Sequence, residues 1–207
     1  KESEALPYTS NFSIYDDGDQ KAVINRIYKD RGIDTKKFPP NKIRSIISRN
    51  KNSLIRPEDF ADFNDSNFYA DTVEDVYRRY QQQLVNNNAM DFDDLLMNTA
   101  FLLHDNPDLL EQYRRKFRYV MIDEYQDTNY AQFRIINLLA KEHQNLCVVG
   151  DDDQAIYSWR GADIKNILNF EKDYKNVKTI KLEQNYRSPE IILNLANSLI
   201  RHNAQRH

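Results

Sequence analysis

Apolar residues recur with a helical period through the first part of the chain. Val23, Ile24, Ile27 and Tyr28 share one helix face, and Ile43, Ile46 and Ile47 repeat the pattern behind Pro39-Pro40, a pair suited to opening a helix. A longer stretch with Tyr69, Val73, Val76, Tyr77, Tyr80 and Leu84 keeps the period until Asn86-Asn87-Asn88 breaks it. Such stripes are buried only against one another. A small, mainly helical lobe over roughly residues 10 to 88 is expected, with a polar, mobile stretch near Asn50 to Asn67.

The pattern changes near Phe117. Arg118 to Ile122 is a short β-prone run ending in acids, a helical segment with Phe133, Ile136 and Leu139 follows, and Leu146-Cys-Val-Val149 ends at Gly150-Asp151. Strand, helix, strand with apolar strands predicts a parallel sheet covered on both faces. A third run, Val177 to Leu182, precedes Ser188-Pro189-Glu190. That triplet predicts an N-cap, an N1 proline and a first-turn acid opening a helix with Ile191, Ile192, Leu195, Ala196 and Leu199. The fold class expected is therefore α/β, a parallel sheet combined with a mainly helical lobe.

Composition narrows the class further. Of 207 residues 40% are hydrophobic and 29% charged, as in globular proteins, and no stretch nears the roughly 18 uninterrupted apolar residues of a membrane span. The opening KESEALPYTS has neither an initiator Met nor a signal-peptide pattern, which predicts a chain continuing upstream and a cytoplasmic protein. The single cysteine, Cys147, lies in the apolar run NLCVV and reads as a small buried hydrophobe. A net charge of −3 says nothing of nucleic acid, yet residues 36 to 56 hold Lys36, Lys37, Lys42, Arg44, Arg49, Lys51 and Arg56 with no acid among them. That stretch is either a solvated helix face or a set of phosphate contacts.

Three segments carry candidate chemistry. In Val120-Met-Ile-Asp-Glu-Tyr-Gln-Asp127, Asp123 and Glu124 follow directly on a strand, at the carboxyl end where open α/β sheets bind ligands. Asp123 could hold Mg2+ and Glu124 could orient or deprotonate an attacking water; acids that merely cap the strand are the alternative. In the run Val148 to Asp163, Gly150 and three acids precede Gln154, Tyr157, Trp159 and Arg160. An amide there can sense a γ-phosphate and the Tyr/Trp/Arg cluster can receive unstacked bases, unless Trp159 is a core anchor. In Leu182 to Ser188, Tyr186 could stack on a purine and Arg187 could neutralise a transferring phosphoryl group, although Tyr-Arg pairs are common.

Taken in order, IDEYQDTN, VVGDDDQAIYSWRGAD and LEQNYRS closely resemble motifs II, III and IV of the superfamily 1 helicases of the UvrD, PcrA and Rep type. NAMDFDDLL at 88 to 96 and FSIYDDGDQ at 12 to 20 are similar to the same family, so the resemblance spans nearly the whole chain. It implies an ATP-dependent DNA helicase, with ATP and Mg2+ as cofactors and single-stranded DNA and a duplex junction as substrates. Translocation would run 3′ to 5′, and repair or replication accessory proteins would be partners. The implied fold is a partial P-loop NTPase (RecA-like) sheet with an inserted helical lobe. Residues 1–88 would form the lobe called 1B, 89–180 part of motor domain 1A, and 181–207 the start of domain 2A. Asp123 and Glu124 would serve magnesium and water activation, and Gln154 the γ-phosphate. Tyr186 would pack on adenine and Arg187 would act as an arginine finger. Tyr157, Trp159 and Arg160 would line the DNA track. Phe92 matches a position near that track, with a helix-core residue as its alternative, and the basic stretch could touch duplex DNA.

The chain departs from the family in two respects: the family's later motifs, from the second motor domain, are expected beyond His207, and the phosphate-binding loop is missing. A phosphate-binding loop G-x-x-x-x-G-K-[ST] needs two glycines and a lysine at fixed spacing. The four glycines, Gly18, Gly32, Gly150 and Gly161, do not supply it, so this piece alone is expected to hydrolyse ATP poorly or not at all. Two rivals follow: a non-catalytic DNA-binding or regulatory module on a degenerate helicase fold, and a metal-dependent nuclease built on Asp123, Glu124 and Asp151 to Asp153. The nuclease leaves the Gln, Trp and Arg details without a role.

Overall fold

The computed structural model describes residues 2–63 and 67–202, apart from the side chains of Glu4 and Arg160. The chain divides into two compact units. One runs to Phe117 and includes Asn129–Leu139; the other comprises Arg118–Thr128 and the chain from Ala140 onward.

In the larger unit the helical stripes become a core. Helix α1 (Asp17–Arg31) opens on a reciprocal capping box, in which the Asp16 carboxylate accepts from the Gly18 and Asp19 amides and Asp19 accepts from the Asp16 amide. It closes at Gly32, whose φ of 61° is left-handed backbone that a glycine adopts without strain. Helix α2 (Pro40–Asn52) begins at the proline pair, α3 (Phe60–Phe63) is a single turn, and α4 (Phe68–Asn86) is capped by the Asn67 side chain. Ile24, Ile27 and Tyr28 of α1 meet Ile43 and Ile47 of α2 and Val73, Val76, Tyr77, Tyr80 and Leu84 of α4 in one buried cluster. Each such side chain contributes about 1.5–3 kcal/mol.

Two strands not foreseen in the sequence complete this unit. β1 (Ser13–Tyr15) and β2 (Ala89–Asp91) pair in parallel, Ser13 opposite Ala89 and Tyr15 opposite Asp91. At three residues each they are too short to show an alternating pattern. Helices α5 (Phe92–Asp105) and α6 (Pro107–Lys116) follow, so this unit extends well past residue 88. The expected mobile stretch near Asn50 to Asn67 is instead largely ordered: Asn50, Lys51 and Asn52 are buried at the end of α2, and a 3₁₀ turn at Pro57–Asp59 leads into α3. Its remainder at 64–66 lies outside the described residues.

The reason for that burial is electrostatic. Lys51 is fully buried, and its Nζ donates to Asp91 Oδ2 at 2.7 Å and pairs with Asp94 Oδ1 at 2.8 Å. Lys51 is therefore not part of an exposed basic face. Neighbouring cations are also committed: Arg44 pairs with Asp17 at 3.0 Å, Arg56 lies 3.8 Å over the Phe101 ring, and Lys42 sits over Tyr69.

One ammonium serves two carboxylates, and this sets a pH dependence. Burial opposes the Asp91 charge but is outweighed by Lys51, holding Asp91 below the usual carboxylate range. For Asp94 burial prevails over the pull of Lys51 and, with the Asp91 charge beside it, pushes the carboxyl up to about 6. Asp94 thus binds its proton more tightly folded than unfolded. Its contribution to stability grows as pH falls through about 6 and is lost as pH rises again. Urea unfolding of wild type should show a gain of about 1 kcal/mol from Asp94 between about pH 7.5 and pH 5. Asp94→Asn should abolish that part of the slope; an unchanged slope would assign it to other carboxylates.

The second unit contains β3 (Val120–Ile122) and β4 (Leu146–Val148), parallel and connected in sequence through α7 (Tyr130–Ala140). Val120 stands opposite Leu146 and Ile122 opposite Val148. The parallel pairing agrees with the sequence pattern, but coverage on both faces does not. Val120, Ile122, Leu146 and Val148 are half-buried, whereas Met121 and its partner Cys147 are exposed, so Cys147 is not the buried hydrophobe expected. Beyond α8 (Lys165–Leu168) and α9 (Phe170–Asp173), the run Val177 to Leu182 forms no strand, because no described segment offers it a ladder partner. Helix α10 (Glu190–Ile200) starts one residue later than expected, with Pro189 rather than Ser188 at the N-cap. Its apolar side, with Ile191, Leu195 and Leu199, is exposed.

Candidate functional site

The carboxyl ends of β3 and β4 lie side by side, and the residues that follow them converge. The Val149 amide donates to Ile122 O at 2.8 Å and the Tyr125 amide donates to Val149 O at 3.0 Å, which extends the pairing past the strands. Between these bonds the chain turns sharply at Glu124, whose φ of 51° and ψ of 43° are left-handed. A non-glycine residue held there costs on the order of 1–3 kcal/mol, and such positions cluster where geometry serves function. Asp123 Oδ1 accepts from the Glu124 amide at 2.9 Å and helps fix the turn.

From Glu124 a chain of hydrogen bonds crosses to the other strand end. Gln126, 1% exposed, donates through Nε2 to Glu124 Oε2 at 2.7 Å, and its Oε1 accepts from the Asp151 amide at 3.1 Å. Asp151 Oδ2 accepts from Gln154 Nε2 at 2.7 Å, and Asp151 Oδ1 caps the 3₁₀ turn Asp152–Gln154 by accepting from the Asp153 amide at 3.0 Å. Glu124 and Gln154, the candidates for water activation and γ-phosphate contact, are thereby joined through Gln126 and Asp151. Asp123 adjoins them through the Glu124 amide. Nearby, Asp127 is raised above the usual carboxylate range, first by burial and then by the Glu124 charge.

Sequence reasoning missed Gln126. A primary amide presents a donor and an acceptor on one side chain, so it can join a carboxylate to a backbone N–H where a second carboxylate could not. Its place depends on Gly150, 24 positions on, and no local pattern in the sequence links the two. A Cβ on Gly150 would stand 2.6 Å from Gln126 Oε1 and 2.8 Å from Ile167 Cδ1. Gly150→Ala should therefore dislodge Gln126 from both partners and destabilise this unit by about 1–3 kcal/mol, read from thermal unfolding by circular dichroism. A midpoint equal to wild type would show that the amide yields without cost.

The other candidates are placed as follows. Tyr157 and Trp159 have ring centroids 6.3 Å apart, and Trp159 is 72% exposed, which removes its core-anchor alternative. The backbone of Arg160 ends the 3₁₀ turn Ser158–Arg160, while its side chain lies outside what the structure describes. Tyr186 is 92% exposed; Asn185 Oδ1 accepts from the Arg187 and Ser188 amides, making a tight turn before α10. Among the described residues no hydrogen bond or ion pair joins the side chain of Tyr186 or Arg187 to the acidic cluster. Phe92, in the larger unit, is 61% exposed at the first position of α5 and is no core residue.

Among the described residues no three acidic, histidine or cysteine side chains are grouped to enclose a metal ion. Magnesium does not require such a cage, since it keeps several waters and commonly takes one or two carboxylates together with phosphate oxygens. Asp123, exposed and with only Oδ1 engaged, suits that donor set. Among the described residues no helix is long and apolar enough to cross a membrane.

The family profile described as UvrD/REP helicase N-terminal domain matches residues 1–175. Two curated relatives named ATP-dependent DNA helicase PcrA, from Staphylococcus epidermidis strain RP62A and Bacillus subtilis strain 168, are each 50% identical over 206 residues. A PcrA helicase of Staphylococcus aureus strain Mu50 is likewise 50% identical. In each case the match covers 100% of this chain and 28% of the relative.

Proposed function

From a chain that belongs to the UvrD/REP helicase family, we propose that these residues supply hydrolytic carboxylates and part of the DNA track to an ATP-dependent DNA helicase. The observation that carries the reading is the hydrogen-bond chain Glu124–Gln126–Asp151–Gln154 across the ends of two parallel strands. It fixes a carboxylate and an amide relative to each other at the edge where α/β sheets take ligands. Bound magnesium would supply charge neutralisation to the phosphates, with Asp123 as its protein ligand. Glu124 orients or deprotonates the attacking water, and Gln154 reports the presence of a γ-phosphate to the loop carrying Tyr157 and Trp159.

In this reading β3 and β4 belong to a RecA-like sheet, residues 1–88 to a 1B-type lobe, 89–180 to domain 1A and 181–207 to the start of domain 2A. Exposed Trp159, with Tyr157 and Arg160 beside it in sequence, receives a base by stacking, and exposed Phe92 does so in the larger unit. Tyr186 packs on adenine. Arg187 reaches the transferring phosphoryl group from the second motor domain. Translocation is expected 3′ to 5′, on single-stranded DNA leading to a duplex junction.

The test is ATP hydrolysis with and without single-stranded DNA, each measured against Glu124→Gln. This 207-residue chain, which carries no G-x-x-x-x-G-K-[ST] segment, should show no turnover above that control. A longer protein carrying both should show DNA-stimulated turnover lost on the substitution. Absence of DNA-stimulated turnover in that longer protein would favour the non-catalytic module, and DNA cleavage with Mg2+ and no ATP would favour the nuclease.

A further inference from the structure

We propose that Lys51 is a positioning residue for DNA engagement, holding Phe92 in place through the Asp91–Asp94 capping box. The inference rests on the reading of Phe92 as a base platform.

Phe92 is exposed, yet the residues on either side of it are held from several directions. Asp91 Oδ1 caps α5 by accepting from the Asp94 amide at 2.7 Å, and Asp94 Oδ2 accepts in return from the Asp91 amide at 3.2 Å. The opposite oxygens face inward. Asp91 Oδ2 takes Lys51 Nζ at 2.7 Å and Tyr80 Oη at 2.9 Å; Asp94 Oδ1 takes Lys51 Nζ at 2.8 Å and Gln81 Nε2 at 3.0 Å. Asp93 Oδ1 accepts from Asn52 Nδ2 at 2.8 Å.

A helix N-terminus ordinarily needs one capping side chain and frays readily. Here α2, through Lys51 and Asn52, and α4, through Tyr80 and Gln81, both grip the start of α5. Three of the four residues from Asp91 to Asp94 are spent on that grip, and the fourth is an aromatic turned to solvent. Stability alone does not call for this arrangement, because a buried ion pair contributes little that apolar packing would not. It does limit the directions an exposed ring can take, and stacking depends on direction. The role of Lys51 is therefore exerted through Phe92; Lys51 itself is too buried to touch DNA.

The test is a mutant cycle on this chain, using oligodeoxythymidylates carrying 2-aminopurine at successive positions. Dissociation constants and 2-aminopurine quenching at saturation are read for wild type, Phe92→Ala, Lys51→Met and the double variant, with far-UV circular dichroism reporting the fold. Phe92→Ala should weaken binding by about 5- to 100-fold and relieve quenching. Lys51→Met should relieve quenching at the same oligonucleotide positions, and the double variant should be no weaker than Phe92→Ala. If Lys51→Met does not fold, Asp94→Asn takes its place in the cycle, since it keeps a balanced Lys51–Asp91 pair. Losses that simply add, or wild-type quenching in a folded Lys51→Met or Asp94→Asn protein, would overturn the positioning role. No difference between wild type and Phe92→Ala would instead remove the platform reading, and this inference with it.

Discussion

Lys51→Met should destabilise the larger unit by about 3–5 kcal/mol, the largest loss expected from any single side chain described here. Methionine matches the lysine stem in volume, so packing against the Tyr80 ring is retained while the charge is deleted. Two carboxylates with side chains only 3% and 0% exposed are then left without their cation. The contrast with the surface is one of dielectric. Arg79 to Asp75 and Arg115 to Glu111 pair at 2.9 Å, as tightly as many buried pairs, but with half-exposed side chains they contribute about 0.3–0.5 kcal/mol each. Urea unfolding followed by circular dichroism gives the loss directly. A companion triple variant, Lys51→Met with Asp91→Asn and Asp94→Asn, should recover most of it, because each Asn keeps its oxygen as the cap acceptor while its NH2 can donate to the Tyr80 hydroxyl or to the Gln81 amide oxygen once that amide is turned, with no charge left buried. A loss under about 1 kcal/mol for Lys51→Met would mean that water reaches the carboxylates.

This lysine also shows where sequence reasoning stopped. Within residues 36 to 56 its letter is indistinguishable from those of Arg44 and Arg49, and a run of cations without acids reads as a surface. Its partners lie 40 and 43 positions away, at Asp91 and Asp94, and only the packing of α2 against α5 brings them together. The helices themselves were legible because their information is local: Ile24, Ile27 and Tyr28, or Val73, Val76 and Tyr80, mark one face by spacing alone. Strands β1 and β2 were not, since three residues carry no period and a parallel pair separated by 76 positions leaves no local trace.

The candidate site divides in the same way. Asp123 and Glu124 were legible as acids behind a β-prone run, and Gln154, Trp159 and Arg187 were singled out as candidates by the resemblance of the ordered motifs. What joins Glu124 to Gln154 was not, for Gln126 matters only because Gly150 lacks a Cβ and lets its amide pass from one strand end to the other. Residues Met121 and Cys147 illustrate the opposite error. Their apolar letters suggested burial, but side chains alternate along a strand, and the face they share is exposed.

Glu124→Gln, placed in a protein that carries this segment together with a phosphate-binding loop, should lower DNA-stimulated ATP hydrolysis by about 100- to 10,000-fold. The substitution is chosen because the structure around Glu124 tolerates it. Gln126 Nε2 donates to one oxygen of Glu124, and the amide oxygen of a glutamine can accept the same bond, so the link to Asp151 and the left-handed turn survive. The second oxygen becomes an NH2 group, which can neither take a proton from water nor attract its hydrogens. Turnover should therefore fall while the unfolding midpoint stays put, and DNA affinity should change by less than about twofold, because the proposed DNA contacts, Trp159 and Phe92, do not involve Glu124. Single-turnover measurement would separate the chemical step from nucleotide release. A loss confined to ATP affinity would make Glu124 a binding group, whereas unaltered turnover would transfer the role of base to another acid, of which Asp127, its proton held more firmly by burial and by the Glu124 charge, is the nearest in sequence after Asp123, the candidate magnesium ligand.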